Sequence, residues 1–198
     1  MSMSHREALE VVARHRGTCV VVSTMTSVGV WPELSDTPLD FAYMPSAMGQ
    51  APGIGLGLAL ACPGRGVIVL NGDGCTLMNL GSLVTLAAHP AAVYLLILDN
   101  ALYEVTGGQP VVGAGKTDFA LIARGAGIER VYRFMTLTEW SEGAAEALSG
   151  PGPVVVWLSV EGRSGQKTPR PPHSMAEQIG RLRDALMHAA SPTDPIPR

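Results

Sequence analysis

Apolar positions in this chain fall into two patterns, short continuous runs and runs spaced three or four residues apart. Thr18 to Val22, Gly66 to Leu70, Val93 to Leu98 and Val154 to Leu158 are β-branched or apolar at nearly every position. Strands that are apolar on both faces belong to a parallel sheet covered on each side, and a further strand is expected near Val131. Between them lie helical patterns. Ser4 with Glu7 has capping-box spacing, and Leu9, Val12 and Ala13 continue a helix to about His15. Leu77, Leu80, Val84 and Ala87 or Ala88 make a second amphipathic run that stops before Pro90. A short helix is expected from Asp118 to about Gly125, and another opens at Thr136 with Glu139 as its box partner. Ser174 with Glu177 caps a closing helix, 174–190, whose apolar stripe is Ile179, Leu182 and Leu186.

From Ala47 to Cys62 nearly every second residue is Gly or Ala, which suits a helix packed very closely on a sheet. The triplet Gly53, Gly55 and Gly57 precedes a strand instead of following one, so it reads as close packing and not as a dinucleotide fingerprint. Segment 23–45 carries Gly29, Pro32, Pro38 and Pro45 and is expected to be a long connecting loop with scattered local structure. Segment 99–117 is a second loop, and the Pro-rich stretch 162–173 an extended connector. Strand and helix alternate, so the chain is expected to be one α/β domain over residues 1–198. Its sheet is doubly wound and mostly parallel, with helices on both faces.

Composition removes several function classes. The longest apolar stretch, Ala91 to Leu98, is far short of the roughly 20 residues that cross a bilayer, so no membrane partner is expected. A net charge of -3 without any run of Lys or Arg leaves no footprint for nucleic acid. Three scattered cysteines, Cys19, Cys62 and Cys75, and the lack of an apolar leader point to a reduced cytoplasmic setting.

In open α/β sheets ligands bind beyond the carboxyl ends of the strands. Here those ends are Asn71-Gly72-Asp73-Gly74 and Asp99-Asn100, both polar after wholly apolar runs. Gly72 and Gly74 allow a sharp turn close to a ligand, and a helix starting near Cys75 offers free N–H groups and its positive dipole end. That is a phosphate cradle. A carboxylate, Asp73, in its middle would repel phosphate unless a cation stands between them. Mg²⁺ takes one or two carboxylates, neutral oxygens and phosphate oxygens, and Asp73, the Asn100 side chain and a backbone carbonyl just beyond could meet it from adjacent strands. The expected ligand is a diphosphate held through Mg²⁺.

Gly72-Asp73-Gly74, followed after 24 residues by Asp99-Asn100, resembles the motif of thiamine diphosphate enzymes, with Asp99 in the first, non-ligating place of the usual double Asn. The resemblance implies Asp73, Asn100 and the carbonyl of Leu102 as metal ligands. Ser46-Ala47-Met48-Gly49 is similar to the Gly-x-Met-Gly stretch that grips the aminopyrimidine in that family. Met48 would wedge the cofactor into a bent shape, while its N–H and the carbonyl of Ser46 bond the pyrimidine edge, with Gly49 beside them. Gly72 to Leu83, and Asp99-Asn100 with Thr106-Gly107-Gly108-Gln109, look like the small-subunit group of sulfopyruvate and phosphonopyruvate decarboxylases over about residues 18 to 160. Only the diphosphate-binding domain is covered. The glutamate that activates the cofactor lies in that family's separate pyrimidine-binding domain. A partner subunit supplying it is therefore expected, in a hetero-oligomer built on a dimer that acts on a small 2-oxo acid with a second anionic group.

Further roles are assigned by position. Thr106 is a substrate contact by resemblance, Tyr103 lends its N–H to the diphosphate, and Cys75 is an inert residue whose N–H the site uses. One hydroxyl among Ser23, Thr24, Thr26 and Ser27 is expected on the diphosphate, without a choice among them, and Glu104 and Gln109 stand near without a role. His5, His15 and His188 are expected to be exposed on terminal helices, His89 to cap or face solvent, and His173 to lie in a solvated tail or across a subunit boundary. Other readings are a carboligase of the acetolactate synthase kind, a non-catalytic thiamine diphosphate-binding module, and a nicotinamide-binding domain, which the glycine positions disfavour.

Overall fold

A computed structural model describes residues 3–163, 165 and 170–189; the remainder of the 162–173 connector and the end of the chain lie outside the described residues. In chain order the elements are α1 (His5–His15), β1 (Val20–Ser23), α2 (Thr26–Leu34), β2 (Asp40–Ala42), α3 (Ala51–Ala61), β3 (Val67–Gly72), α4 (Asp73–Met78) and α5 (Gly81–Ala87). Next come β4 (Val93–Asp99), β5 (Leu102–Tyr103), β6 (Gln109–Pro110), α6 (Phe119–Gly125), β7 (Arg130–Phe134), α7 (Leu137–Ala147), β8 (Val154–Ser159) and α8 (Met175–Ala189).

Six strands form one parallel sheet in the order β2-β1-β3-β4-β8-β7. Alternate residues of each central strand feed two separate cores. Val67, Val69, Val93 and Leu95 pack under Leu56, Leu83, Leu86, Phe119 and Leu182 of α3, α5, α6 and α8. Ile68, Leu70, Leu96 and Leu98 pack on the other face under Leu9, Val12, Trp31 and Trp140 of α1, α2 and α7. This is the doubly wound arrangement expected from the two-sided apolar runs. The chain leaves β1 toward β2 on one side and resumes with β3 on the other, so the strand order reverses between β1 and β3. A crevice opens at such a reversal.

The capping boxes at Ser4–Glu7 and Thr136–Glu139 are both formed, and the Ser174 hydroxyl accepts the Glu177 N–H at 3.3 Å. Four expectations are corrected. Segment 23–45 is no loop: it folds as α2 and β2. Pro32 removes one hydrogen bond from α2, but Trp31 is 1% exposed and its Nε1–H donates to Asp40 at 2.8 Å. The same carboxylate takes Arg16 at 2.5 Å and the Ser35 hydroxyl at 2.7 Å, so tertiary anchoring overrides the local breakers. The run over Leu77 to Ala88 divides at Asn79, whose side-chain N–H reaches back to the Gly49 carbonyl at 3.2 Å. The stripe on α8 is shifted: Leu182 is buried and Leu186 packs on the core, but Ile179 is 52% exposed, while Gln178 is buried and accepts the Ala42 N–H at 2.7 Å. Finally, the glycines of α3 are not equivalent, and the helix begins at Ala51 rather than Ala47.

Only Gly55 faces the sheet, where a Cβ would stand 2.4 Å from Val69 Cγ2, whereas Gly53 and Gly57 meet nothing within 4 Å. Gly55→Ala is expected to destabilise the protein by about 1–3 kcal/mol through overpacking. Gly57→Ala should stabilise it by up to about 1 kcal/mol through helix propensity. Urea unfolding of the two variants measures this; a stabilised Gly55→Ala protein would contradict the close approach of α3 to β3.

Candidate active site

The carboxyl ends of β1, β3 and β4 lie side by side, in register through Ser23 with Leu70 and Gly72 with Leu98. The segments that leave these three strands line one open cleft: Thr24 to Ser27 after β1, Gly72 to Cys75 after β3, and Asn100 with Leu102 to Thr106 after β4. Met48, Met78 and His5 complete its walls. Ser46, Met48 and Gly49 line a small adjoining pocket with Tyr43, and this pocket shares Thr24, Met25, Met48 and Cys75 with the cleft. Two motif segments separated by 24 residues, a third upstream and the hydroxyl-rich exit of β1 are thus brought together.

The turn after β3 is shaped for close approach. A Cβ on Gly74 would lie 2.5 Å from the Tyr103 ring, so only glycine admits that tyrosine. Gly49 has φ 84 and a Cβ there would meet Asn79 and the Cys75 carbonyl at 2.9 and 3.0 Å, which requires glycine after Met48. Met48 itself is 42% exposed, an apolar side chain presented to the cleft and not spent in the core. Met25 holds φ 48 and ψ -127, a conformation that suits glycine, and the residue lines both the cleft and the adjoining pocket.

Asp73 is 3% exposed, and one of its oxygens accepts the Ala101 N–H at 3.0 Å. Burial, to which neighbouring Asp99 adds repulsion, pushes its carboxyl up to about 7. Asp99 accepts the indole N–H of Trp157 at 2.9 Å and shares the Ala101 N–H, at 3.2 Å, with Asp73. The Asn100 side-chain oxygen accepts the Leu102 N–H at 2.9 Å, and Ala101 between them takes φ 61. Among the described residues no cluster of three His, Cys, Asp or Glu side chains could hold a metal. One buried carboxylate, one amide oxygen and a backbone carbonyl are a sparse hard-oxygen set, which suits Mg²⁺ completed by phosphate oxygens. Cys75 is buried, which pushes its thiol up and leaves it inert.

Other expected residues separate. Thr106 lines the cleft and is exposed, while Gln109 lies exposed on the β5–β6 hairpin outside it. Glu104 is 5% exposed in the cleft wall, taking the Thr26 hydroxyl at 2.7 Å and the Arg163 N–H at 2.6 Å. His89 is exposed, with Nδ1 2.8 Å from the Thr85 carbonyl oxygen. His173 is tied within the chain to Asp36 and Glu177 at 3.3 and 3.1 Å. His15 is half-buried, and the His188 side chain lies outside the described residues. His5 corrects the expectation of an exposed terminal histidine: it enters the cleft wall, its Nε2 3.0 Å from the Ser27 hydroxyl, and burial pushes its imidazole down to about 4. Nothing in its local sequence marks it, because α1 and α2 meet only in the folded chain.

Comparison with known proteins agrees with this geometry. The family described as thiamine pyrophosphate enzyme, C-terminal TPP binding domain, matches residues 31–158. Phosphonopyruvate decarboxylase of Streptomyces viridochromogenes is 38% identical over 169 residues, 85% of this chain and 42% of the relative. Sulfopyruvate decarboxylase subunit beta of Methanothermobacter thermautotrophicus is 41% identical over 129 residues, 65% of each chain. The chain thus spans less than half of the first of these relatives and just under two thirds of the second. A solved structure from Mycobacterium smegmatis, described provisionally as a thiamin diphosphate-dependent enzyme, superposes with a TM-score of 0.68 at 23% identity, covering 81% of this chain and 32% of the other. It shares the fold.

An Asp whose folded pKa is raised weakens the fold once the unfolded chain ionises and the folded one does not. Without divalent cations, the stability of wild type relative to Asp73→Asn should fall as pH rises from about 4 to about 7 and level off above that. Urea unfolding at a series of pH values measures it; a difference independent of pH would contradict the strained carboxylate.

Proposed function

The chain belongs to the C-terminal TPP-binding domain family of thiamine pyrophosphate enzymes, and from that premise we propose that it is the diphosphate-binding subunit of a two-chain, Mg²⁺-dependent 2-oxo acid decarboxylase. The observation that carries the proposal is the convergence of Gly72-Asp73-Gly74, Asn100 and Met48 on one cleft at the β1–β3 reversal. Asp73, the Asn100 side chain and the Leu102 carbonyl would hold Mg²⁺. The N–H groups of Gly74, Cys75 and Tyr103 would meet the diphosphate, with Gly72 leaving the approach open. Ser46 and Gly49 would border the aminopyrimidine, and Met48 would set its angle to the thiazolium. Bound there, thiamine diphosphate supplies the electron sink that a departing CO₂ requires.

This chain's own part is to bind, orient and exclude water. Among the described residues the cleft is lined by the carboxylates of Asp73 and Glu104 and by no Lys or Arg. A sulfonate or phosphonate on the substrate would need a cation beyond these lining residues, while Thr106 offers a hydroxyl. Met48 and Met78, 42% and 48% exposed, leave the mouth apolar and open. A pyrimidine-binding domain on a partner subunit would close it and bring the glutamate that activates the cofactor. Leu60 and Val84, exposed on the neighbouring helices α3 and α5, support association with a further subunit. The names of the relatives favour sulfopyruvate or phosphonopyruvate as substrate, in a cytoplasmic setting.

The isolated chain is expected to bind thiamine diphosphate with Mg²⁺ and to release no appreciable CO₂ from either acid until the partner is added. Turnover by the chain alone would overturn the divided site. In the reconstituted enzyme Met48→Gly should lower kcat far more than cofactor affinity, measured by steady-state kinetics beside calorimetry. Unchanged kcat would remove the wedge.

A further inference from the structure

Four hydroxyls succeed one another at the end of β1, and their hydrogen bonds differ. Thr24 donates to the Leu70 carbonyl at 2.9 Å. Thr26 donates to Glu104 at 2.7 Å, so neither proton is available to an anion. Ser23 is buried and does not line the cleft. Ser27 does line it, in the first turn of α2, a helix whose N-terminus carries no side-chain cap. Its partner is His5 Nε2, 3.0 Å away, across the contact between α1 and α2.

The direction of that bond is decided by the other ring nitrogen. His5 Nδ1 is buried with no hydrogen-bond partner, and burial keeps the imidazole neutral at pH 7. A neutral imidazole has one N–H and one lone pair. An N–H buried without an acceptor is the rarer and costlier defect, whereas an under-used lone pair is tolerated better. The proton therefore sits on Nε2 and is donated to Ser27 Oγ. A hydroxyl that accepts from Nε2–H does not give its own proton to that nitrogen, and Ser27 lines the cleft, where the proton can meet a ligand.

Resting on the diphosphate reading of the cleft, we propose that His5 is a positioning residue for the diphosphate subsite: its Nε2–H fixes Ser27 so that the serine hydroxyl donates to a phosphate oxygen. The uncapped start of α2 adds its dipole to the same anion. Both residues lie outside the 31–158 stretch that the family match covers, and His5 comes from a helix that carries none of the motif residues.

The test is calorimetric titration of the full chain with inorganic pyrophosphate and with thiamine diphosphate, each with Mg²⁺. His5→Leu and Ser27→Ala should each weaken pyrophosphate binding about 10-fold, the size of a hydrogen bond to a charged acceptor. The double variant should be no weaker than the worse single one, because the two residues act in series. His5→Gln, whose amide N–H can reach the serine, should restore binding to within about 3-fold. A purely structural histidine would give no such rescue. Wild-type affinity in both His5→Leu and Ser27→Ala, or losses that multiply in the double variant, would overturn the inference alone. A wild-type chain that takes up no pyrophosphate with Mg²⁺, or an Asp73→Ala chain that binds as wild type does, would overturn the diphosphate reading and this inference with it.

Discussion

A sheet buried on both faces has no side on which a polar group can meet water. In this chain the central strands are fully covered, and alternate residues are claimed by two separate cores. In β1, β3 and β4 polar side chains stand at or next to the strand ends; Asn71, near the end of β3, is 1% exposed and its side-chain N–H donates to the Thr76 hydroxyl at 3.0 Å. Because the strands are parallel, their carboxyl ends share one edge, and the reversal between β1 and β3 leaves a gap there. The site and the fold are thus one constraint seen twice. Packing that excludes polarity from the sheet concentrates it where the crossovers part.

That concentration works against stability. Asp73 is buried beside a second carboxylate, in surroundings that resist its ionisation, Glu104 is enclosed in the same wall, and Met25 holds a backbone angle that glycine adopts more easily. Apart from the hydrogen bonds that Glu104 takes from Thr26 and Arg163, none of these helps the chain fold. Each becomes intelligible if the cleft receives a cation and an anion together. A divalent ion would relieve the Asp73 carboxylate, and the uncapped α2 terminus and the N–H groups after β3 would face the negative charge that accompanies it.

Much of this was legible in the sequence because local and tertiary preferences agree there. The two-sided apolar runs became the central strands, the capping boxes at Ser4 and Thr136 formed, and Gly72-Asp73-Gly74 with Asn100 came together. The illegible remainder depended on contacts distant in sequence. Gly29 and Pro32 argue against a helix over Thr26–Leu34, and contacts distant in sequence hold it, among them Arg16, Trp31 and Ser35 gathered on Asp40. The Leu77 to Ala88 periodicity continues through Asn79, and the break there comes from a bond to Gly49, 30 positions earlier. Ile179 has helical spacing with Leu182, yet the buried place on that turn belongs to Gln178, which serves the β2 backbone. His5 resembles any polar residue at a helix start until α1 is laid against α2.

The geometry at Met25 bears on how this cleft can diverge. Glycine there would relax the backbone and remove the side chain of a residue that lines two adjoining cavities. A wider chamber is therefore one replacement away, and that replacement would also make folding easier. The narrower chamber comes with the strained rotation. At this place one residue sets the shape of the chamber against ease of folding.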